Sequence, residues 1–328
     1  MSTANIDPEL QPVLEAFAGV ALDFTAGGLQ QMRDTVRTML DSVPSRRPAS
    51  VLVEDIRVPG PAGDPDVVLR VYRPGAMSAS APVLYWMHGG GMVMGSFDMD
   101  DALLVGAVEQ MGLAAVSVDY RLAPEHPDPA PVEDCYAGLV WTAANAADYG
   151  LDPQRIAVGG VSAGGGLAAG TALLARDRGG PPLRFQLLLE PMLDDRAITN
   201  SSTAYEGSVV WDRNDNRFGW TSLLGTRVGT EDVSAYAAPA RATDLAGLPP
   251  AWVDVGEVET FRDESINYAQ NLLTAGVSTE LHVYPGAFHG FDLIAPDSVV
   301  AREAWRLRWA ALARALGLPP RRDERDLR

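Results

Sequence analysis

Residues 155–166 read Arg-Ile-Ala-Val-Gly-Gly-Val-Ser-Ala-Gly-Gly-Gly. A short apolar run gives way to G-x-S-x-G, formed by Gly160, Ser162 and Gly164, and then to small residues that read as helix. A serine on so sharp a strand-to-helix turn needs flanking residues without side chains, because a Cβ there meets crossing backbone. The helix behind it aims free N–H groups and a positive dipole end at a reacting oxygen. Ser162 is therefore the candidate nucleophile. The same glycines imitate a dinucleotide fingerprint, with Gly164, Gly166 and Ala169 as G-x-G-x-x-A and Glu190 closing the next strand. That motif begins inside the helix rather than at its start, which argues against it. No Gly-Lys-Ser/Thr follows, so a phosphate-cradling loop is excluded.

Outward from this segment, apolar runs at 51–58, 67–73, 83–87, 114–118, 156–158, 185–189, 251–255 and 280–284 read as eight strands. Helical stretches at 101–110, 131–149, 164–175, 263–275 and 298–316 separate the later ones. The first two strands suit an antiparallel pair, and the alternation that follows predicts an α/β fold: a mostly parallel sheet flanked by helices. Residues 1–48 carry helical spacing at Val13, Leu14, Phe17 and Val20, and again at Leu29, Met32, Val36, Met39 and Leu40. Residues 200–229 hold Tyr205, Trp211, Phe218 and Trp220 as an insertion between strands. These two segments are expected to form a helical cap over the sheet's C-terminal edge. The expected organisation is thus cap helices 1–48, the α/β domain at 49–199 and 230–320, the cap insertion 200–229, and a frayed charged tail 321–328.

The chain has 328 residues, 47% hydrophobic and 21% charged, a globular composition. With 26 Lys plus Arg against 43 Asp plus Glu, the formal net charge is −17. Such a surface repels phosphate backbones and anionic lipid, so neither nucleic acid nor a membrane is expected as a partner. Cys135 is the only cysteine and the four histidines are scattered, so neither a disulfide nor a metal-ligand spacing is present. Residues 1–10 carry Asp7 and Glu9 without a basic, apolar leader pattern, and the expected location is cytoplasmic.

A second signal stands directly after the strand at 83–87: His88-Gly89-Gly90-Gly91. Consecutive glycines let backbone N–H groups point into a site unobstructed, as an oxyanion hole requires. The candidate donors are the amides of Gly89 and Gly90 and of Ala163, the residue after the serine. A serine nucleophile needs a base, and the base an orienting acid. Only His282 and His289 follow Ser162. His282 falls within a strand and reads as a half-exposed sheet residue, whereas His289 lies in the loop after the last strand, free to reach the serine. The acid is sought in 256–264, after the strand at 251–255, where Glu257, Glu259, Asp263 and Glu264 compete, with Asp254 and Glu190 nearby.

His88–Gly91, the run Asp119-Tyr-Arg-Leu-Ala-Pro-Glu-His-Pro ending at Pro127, Ser162-Ala-Gly-Gly and Phe288-His-Gly-Phe together resemble the hormone-sensitive-lipase-like carboxylesterases, bacterial family IV of the α/β hydrolases. The resemblance spans residues 80–320. It implies an α/β-hydrolase fold with an eight-stranded sheet and helical cap, and a serine esterase acting on short- to medium-chain carboxylic esters through an acyl-enzyme. It implies no cofactor and no metal, and homodimers are common in the family. Glu259-Thr-Phe-Arg-Asp-Glu aligns with the family's D-P-L-x-D-E, so the resemblance assigns Glu259 as the acid in a place usually held by aspartate. Val161 before the serine and Glu190-Pro191 depart from the family pattern, and Glu190 remains the second candidate. Asp263 and Glu264 suit the start of the next helix. Glu125 and His126 are expected to brace the site's loops by hydrogen bonds. Trp211 and Phe218 are expected either in the cap's core or lining the acyl pocket. Alternatives are amide or lactone hydrolysis by the same triad, or a ligand-binding protein on this scaffold. The last resembles plant gibberellin receptors, which lack the histidine that this chain keeps at position 289.

Overall fold

A computed structural model describes residues 5–17, 25–42, 48–76, 80–205 and 210–319. Val20 and the tail 321–328 lie outside the described residues. Eight strands form one sheet: β1 (Val51–Val58), β2 (Val67–Pro74), β3 (Ala81–Met87), β4 (Ala114–Asp119), β5 (Leu151–Val161), β6 (Phe185–Leu189), β7 (Ala251–Gly256) and β8 (Thr279–Tyr284). Their order is β1-β2-β4-β3-β5-β6-β7-β8. β2 runs antiparallel to both β1 and β4, and all other neighbours are parallel.

Two helix layers cover the sheet, and side-chain alternation along each strand serves both. On one face, α4 (Ala130–Ala144), α5 (Ala163–Asp177) and α8 (Arg262–Thr274) bury Cys135, Leu167 and Leu272 with Val83, Tyr85 and Met87 of β3. On the other, α3 (Asp101–Met111) and α10 (Val299–Leu316) bury Leu104 and Leu312 with Leu84 and Trp86. A strand buried on both faces has no polar alternation to show, which is why β3 reads as a continuous apolar run.

Strand order decides where chemistry can happen. From β3 the chain steps through α3 to β4 on one side, then crosses back to β5 on the other. The ends of β3 and β5 therefore lie together at a point where the winding reverses, with Met87 beside Gly160 in the register. The glycine run after β3 and the serine turn after β5 are adjacent for this reason.

Within 1–48 the helices are α1 (Gln11–Phe17) and α2 (Leu29–Ser42), and the insertion forms α6 (Asn200–Ala204) and α7 (Arg213–Leu224). The helix expected at 131–149 ends earlier, at Ala144, because the Asn145 side chain turns back onto Trp141 O and a short 3-10 turn follows. β5 extends beyond 156–158 in both directions, since β3 supplies it with a partner from Leu151 to Gly160. Among the described residues, no helix is long and apolar enough to cross a membrane.

Candidate active site

Ser162 occupies φ 58°, ψ −122°, a region that side-chain-bearing residues rarely adopt. Its surroundings fix it there: its N–H donates to Leu189 O at 2.8 Å, and its carbonyl accepts from Gly166 N at 3.1 Å and Met192 N at 3.0 Å. The flanking glycines are required by contact. A Cβ on Gly164 would lie 2.1 Å from Met87 O, and one on Gly166 would lie 2.1 Å from Met192 O. The apparent dinucleotide fingerprint is thus a close helix-on-strand packing surface.

The glycine run curls over the serine. Position 89 sits 3.6 Å from Ser162 Cβ, measured from where a Cβ would stand. The sheet ladder ends at Met87, so the Gly89 and Gly90 amides lie beyond it. The Ala163 amide opens α5, where a helix offers its first N–H groups no internal acceptor. His88 braces the loop: Nδ1–H donates to Gly89 O at 2.7 Å, and Tyr120 stacks on the ring at 4.2 Å while donating its hydroxyl to His88 O at 2.8 Å. Burial lowers the His88 pKa to about 4, so the ring stays neutral. Further out, Arg33 of α2 donates to Val93 O and Ala123 O and pairs with both oxygens of Glu125. Glu125 therefore ties an N-terminal helix to the site's loops. His126 is exposed and contributes a backbone bond, its N–H to Leu122 O.

His289 meets the serine from the opposite side. Its Nε2 lies 3.0 Å from Ser162 Oγ, and Phe261 packs edge-on against its ring at 5.1 Å. Its loop is laced to the one after β7, Val258 N donating to Ala287 O and Glu257 N to Tyr284 O, both at 2.9 Å. His282 instead stacks on Trp252 within the sheet, at 4.1 Å.

The competing acids separate by contact. Asp254 accepts from Arg308 at 2.5 and 3.0 Å and from Trp252 Nε1 at 2.8 Å. Glu257 takes Gly286 N, Asp263 pairs with Arg262, and Glu264 takes Leu193 N. Two carboxyls lie beside His289 Nδ1, Glu259 hydrogen-bonded to it at 3.4 Å and Glu190 within ion-pair distance at 3.3 Å. Both are fully buried. Burial, reinforced in each by neighbouring carboxylates, raises both well above the usual carboxylate range. The ligand-type atoms of Glu190, Glu259 and His289 lie within 4.8 Å of one another, a juxtaposition that residue spacing could not reveal. Burial also holds His289 below the usual imidazole range, against the upward pull of Glu190 and Asp292.

In the cap, Trp211 is buried against the glycine run: a Cβ on Gly91 would stand 2.3 Å from its ring. Gly219 of α7 packs on Gly91 O, 3.1 Å from a would-be Cβ, and Phe218 beside it is half-buried. Sequence reasoning missed Arg308, the fully buried cation that joins Asp254 and Asp292 beneath the histidine loop. Its arginine-rich helical surroundings gave no signal of burial.

The sequence profile of the α/β-hydrolase fold family matches residues 84–293. The chain belongs to that superfamily, in its hormone-sensitive-lipase-like carboxylesterase family. It is 39% identical over 319 residues to carboxylesterase NlhH of Mycobacterium tuberculosis, covering 95% of this chain and 97% of that one. Among solved structures it is similar to a bacterial heroin esterase, with 42% identity, a TM-score of 0.90, and 96% and 99% of the two chains covered. A thermostable esterase from Pseudomonas putida matches at 31% identity and a TM-score of 0.86, over 96% of this chain and 99% of its own. The family's glycine run, serine turn and histidine loop are the elements brought together here.

Proposed function

We propose that this serine-type carboxylic ester hydrolase uses Ser162 as nucleophile, His289 as base and Glu259 as acid, with the amides of Gly89, Gly90 and Ala163 as oxyanion hole. The observation that carries the reading is the 3.0 Å contact between His289 Nε2 and Ser162 Oγ on a strained turn. Ser162 Oγ attacks the ester carbonyl as His289 takes its proton, and the amides hold the developing oxyanion. His289 then protonates the leaving alcohol, and water repeats the sequence to release the acid. Glu259 fixes the imidazole tautomer from the Nδ1 side.

The substrates are short- to medium-chain esters, with Trp211 and Phe218 bounding the acyl side of a cap made from 1–48 and 200–229. The family resemblance supports this, as does the packing of Trp211 on Gly91. The net charge of −17 supports a small uncharged ester over nucleic acid as partner. A cytoplasmic location and a homodimer complete the proposal, supported by a lone buried cysteine and by the family resemblance respectively.

The test is hydrolysis of p-nitrophenyl esters from acetate to palmitate, with matched amides, by the wild type and Ser162→Ala. Rapid turnover of short esters, falling by about 10⁴-fold or more in Ser162→Ala, is expected. A wild type without ester turnover, or a Ser162→Ala variant retaining it, would overturn the reading. Amide turnover matching ester turnover would shift the substrate class.

A further inference from the structure

We propose that Glu190 and Glu259 hold one proton between them, so that His289 Nδ1 faces a single negative charge spread over two carboxyls and Glu190 is a second positioning residue for the base. The proposal rests on the reading of Ser162 and His289 as nucleophile and base. Its geometry is that of two carboxyl oxygens from different loops beside one nitrogen, Glu259 Oε2 hydrogen-bonded to it at 3.4 Å and Glu190 Oε2 within ion-pair distance at 3.3 Å, in a fully buried site. Like charges that close, away from water, cannot both persist without compensation.

Compensation by a cation is already spent. Arg308 of α10 is bonded to Asp254 of β7 and to Asp292 of α9 (Phe291–Ile294), and it stands 4.0 Å from Glu190 Oε1. Glu264 of α8 adds another buried acid, and Tyr284 of β8, its phenol pushed up by burial, adds no charge. Each glutamate also leaves its Oε1 without a hydrogen bond among the described residues. Glu190 is anchored in its own right: its Oε2 accepts from Gly290 N at 2.5 Å, beside the base, and its backbone is held at φ 46°. One proton on the pair removes the excess charge. It also serves the chemistry, because two full charges at Nδ1 would favour a permanently protonated imidazole, and none would leave the developing imidazolium unsupported.

Glutamine has the shape of a protonated glutamate, so charge counting tests the idea. The acid limb of kcat/KM for p-nitrophenyl acetate is measured in wild type, Glu190→Gln, Glu259→Gln and the double variant. Each single variant keeps one ionised carboxylate. Its acid limb should stay within about 0.3 pH unit of wild type, with kcat lowered about tenfold at most. The double variant should lose about 100-fold or more in kcat, with its limb moved down by about one unit. A single variant whose limb drops by about one unit would show both groups ionised in the wild type and overturn the proposal. A double variant no worse than Glu259→Gln would remove Glu190 from the mechanism. Dialysis against a chelator should leave wild-type activity unchanged, and a loss restored by divalent cation would replace the shared proton with a metal.

Labelling of the wild type by an organophosphate separates the two levels: without it the serine reading fails, and with it a shifted limb defeats only the shared proton. Should a glutamine variant misfold by circular dichroism, infrared spectroscopy of a Glu264→Gln protein at mildly alkaline pH decides. A protonated-carboxyl band supports the pair, and its absence overturns it.

Discussion

Replacing Ser162 by alanine and by glycine separates the nucleophile's chemistry from the strain in its backbone. Both variants lose the hydroxyl and its 3.0 Å contact with His289, so that loss cancels in the comparison. They differ in what the backbone tolerates. At φ 58°, ψ −122° a residue with a Cβ is strained, by about 1–3 kcal/mol, and glycine is not. Glycine in turn loses about 0.5–1 kcal/mol through its freer unfolded chain. The glycine variant should therefore be the more stable, by about 1 kcal/mol. For a chain of this size that corresponds to about 1–3 °C in Tm. Differential scanning calorimetry of the two inactive proteins reads the difference directly. A glycine variant melting below the alanine variant would refute the claim that three backbone hydrogen bonds hold Ser162 in a strained conformation.

Three further outcomes follow from the same contacts. Gly91→Ala sets a Cβ 2.3 Å from the Trp211 ring at φ +61°, and kcat/KM on p-nitrophenyl acetate should fall about tenfold or more as the glycine run shifts. An unchanged value would mean the cap does not brace that loop. Arg308→Met strands the buried Asp254 and Asp292 and should lower unfolding free energy by about 3–5 kcal/mol in a urea titration; a loss below about 1 kcal/mol would contradict the buried ion cluster. Burial outweighs the pull of Glu190 and Asp292 and holds the His289 imidazole below its ordinary range. The acid limb of kcat/KM should therefore lie below about pH 6.5, and a limb above it would mean that the carboxylates win.

The sequence by itself determined the elements of this molecule and the candidates for its reactive groups. The strand-turn-helix around Ser162 and the glycines after His88 are local features, dictated by steric limits that act within a few residues, so they are legible in one dimension. His289 was separable from His282 because a loop and a strand differ in pattern. The acid was not, since a carboxylate's role depends on which partner captures it. Asp254, Glu257, Asp263 and Glu264 look alike in sequence, and they are told apart by Arg308, Gly286, Ser201 and Leu193, contacts made across the fold. Only the tertiary pairing, with β6 beside β7 and β7 beside β8, carried Glu190 and Glu259 to the same nitrogen. Burial then did what no spacing encodes, raising two ordinary glutamates well above the usual carboxylate range beside His289.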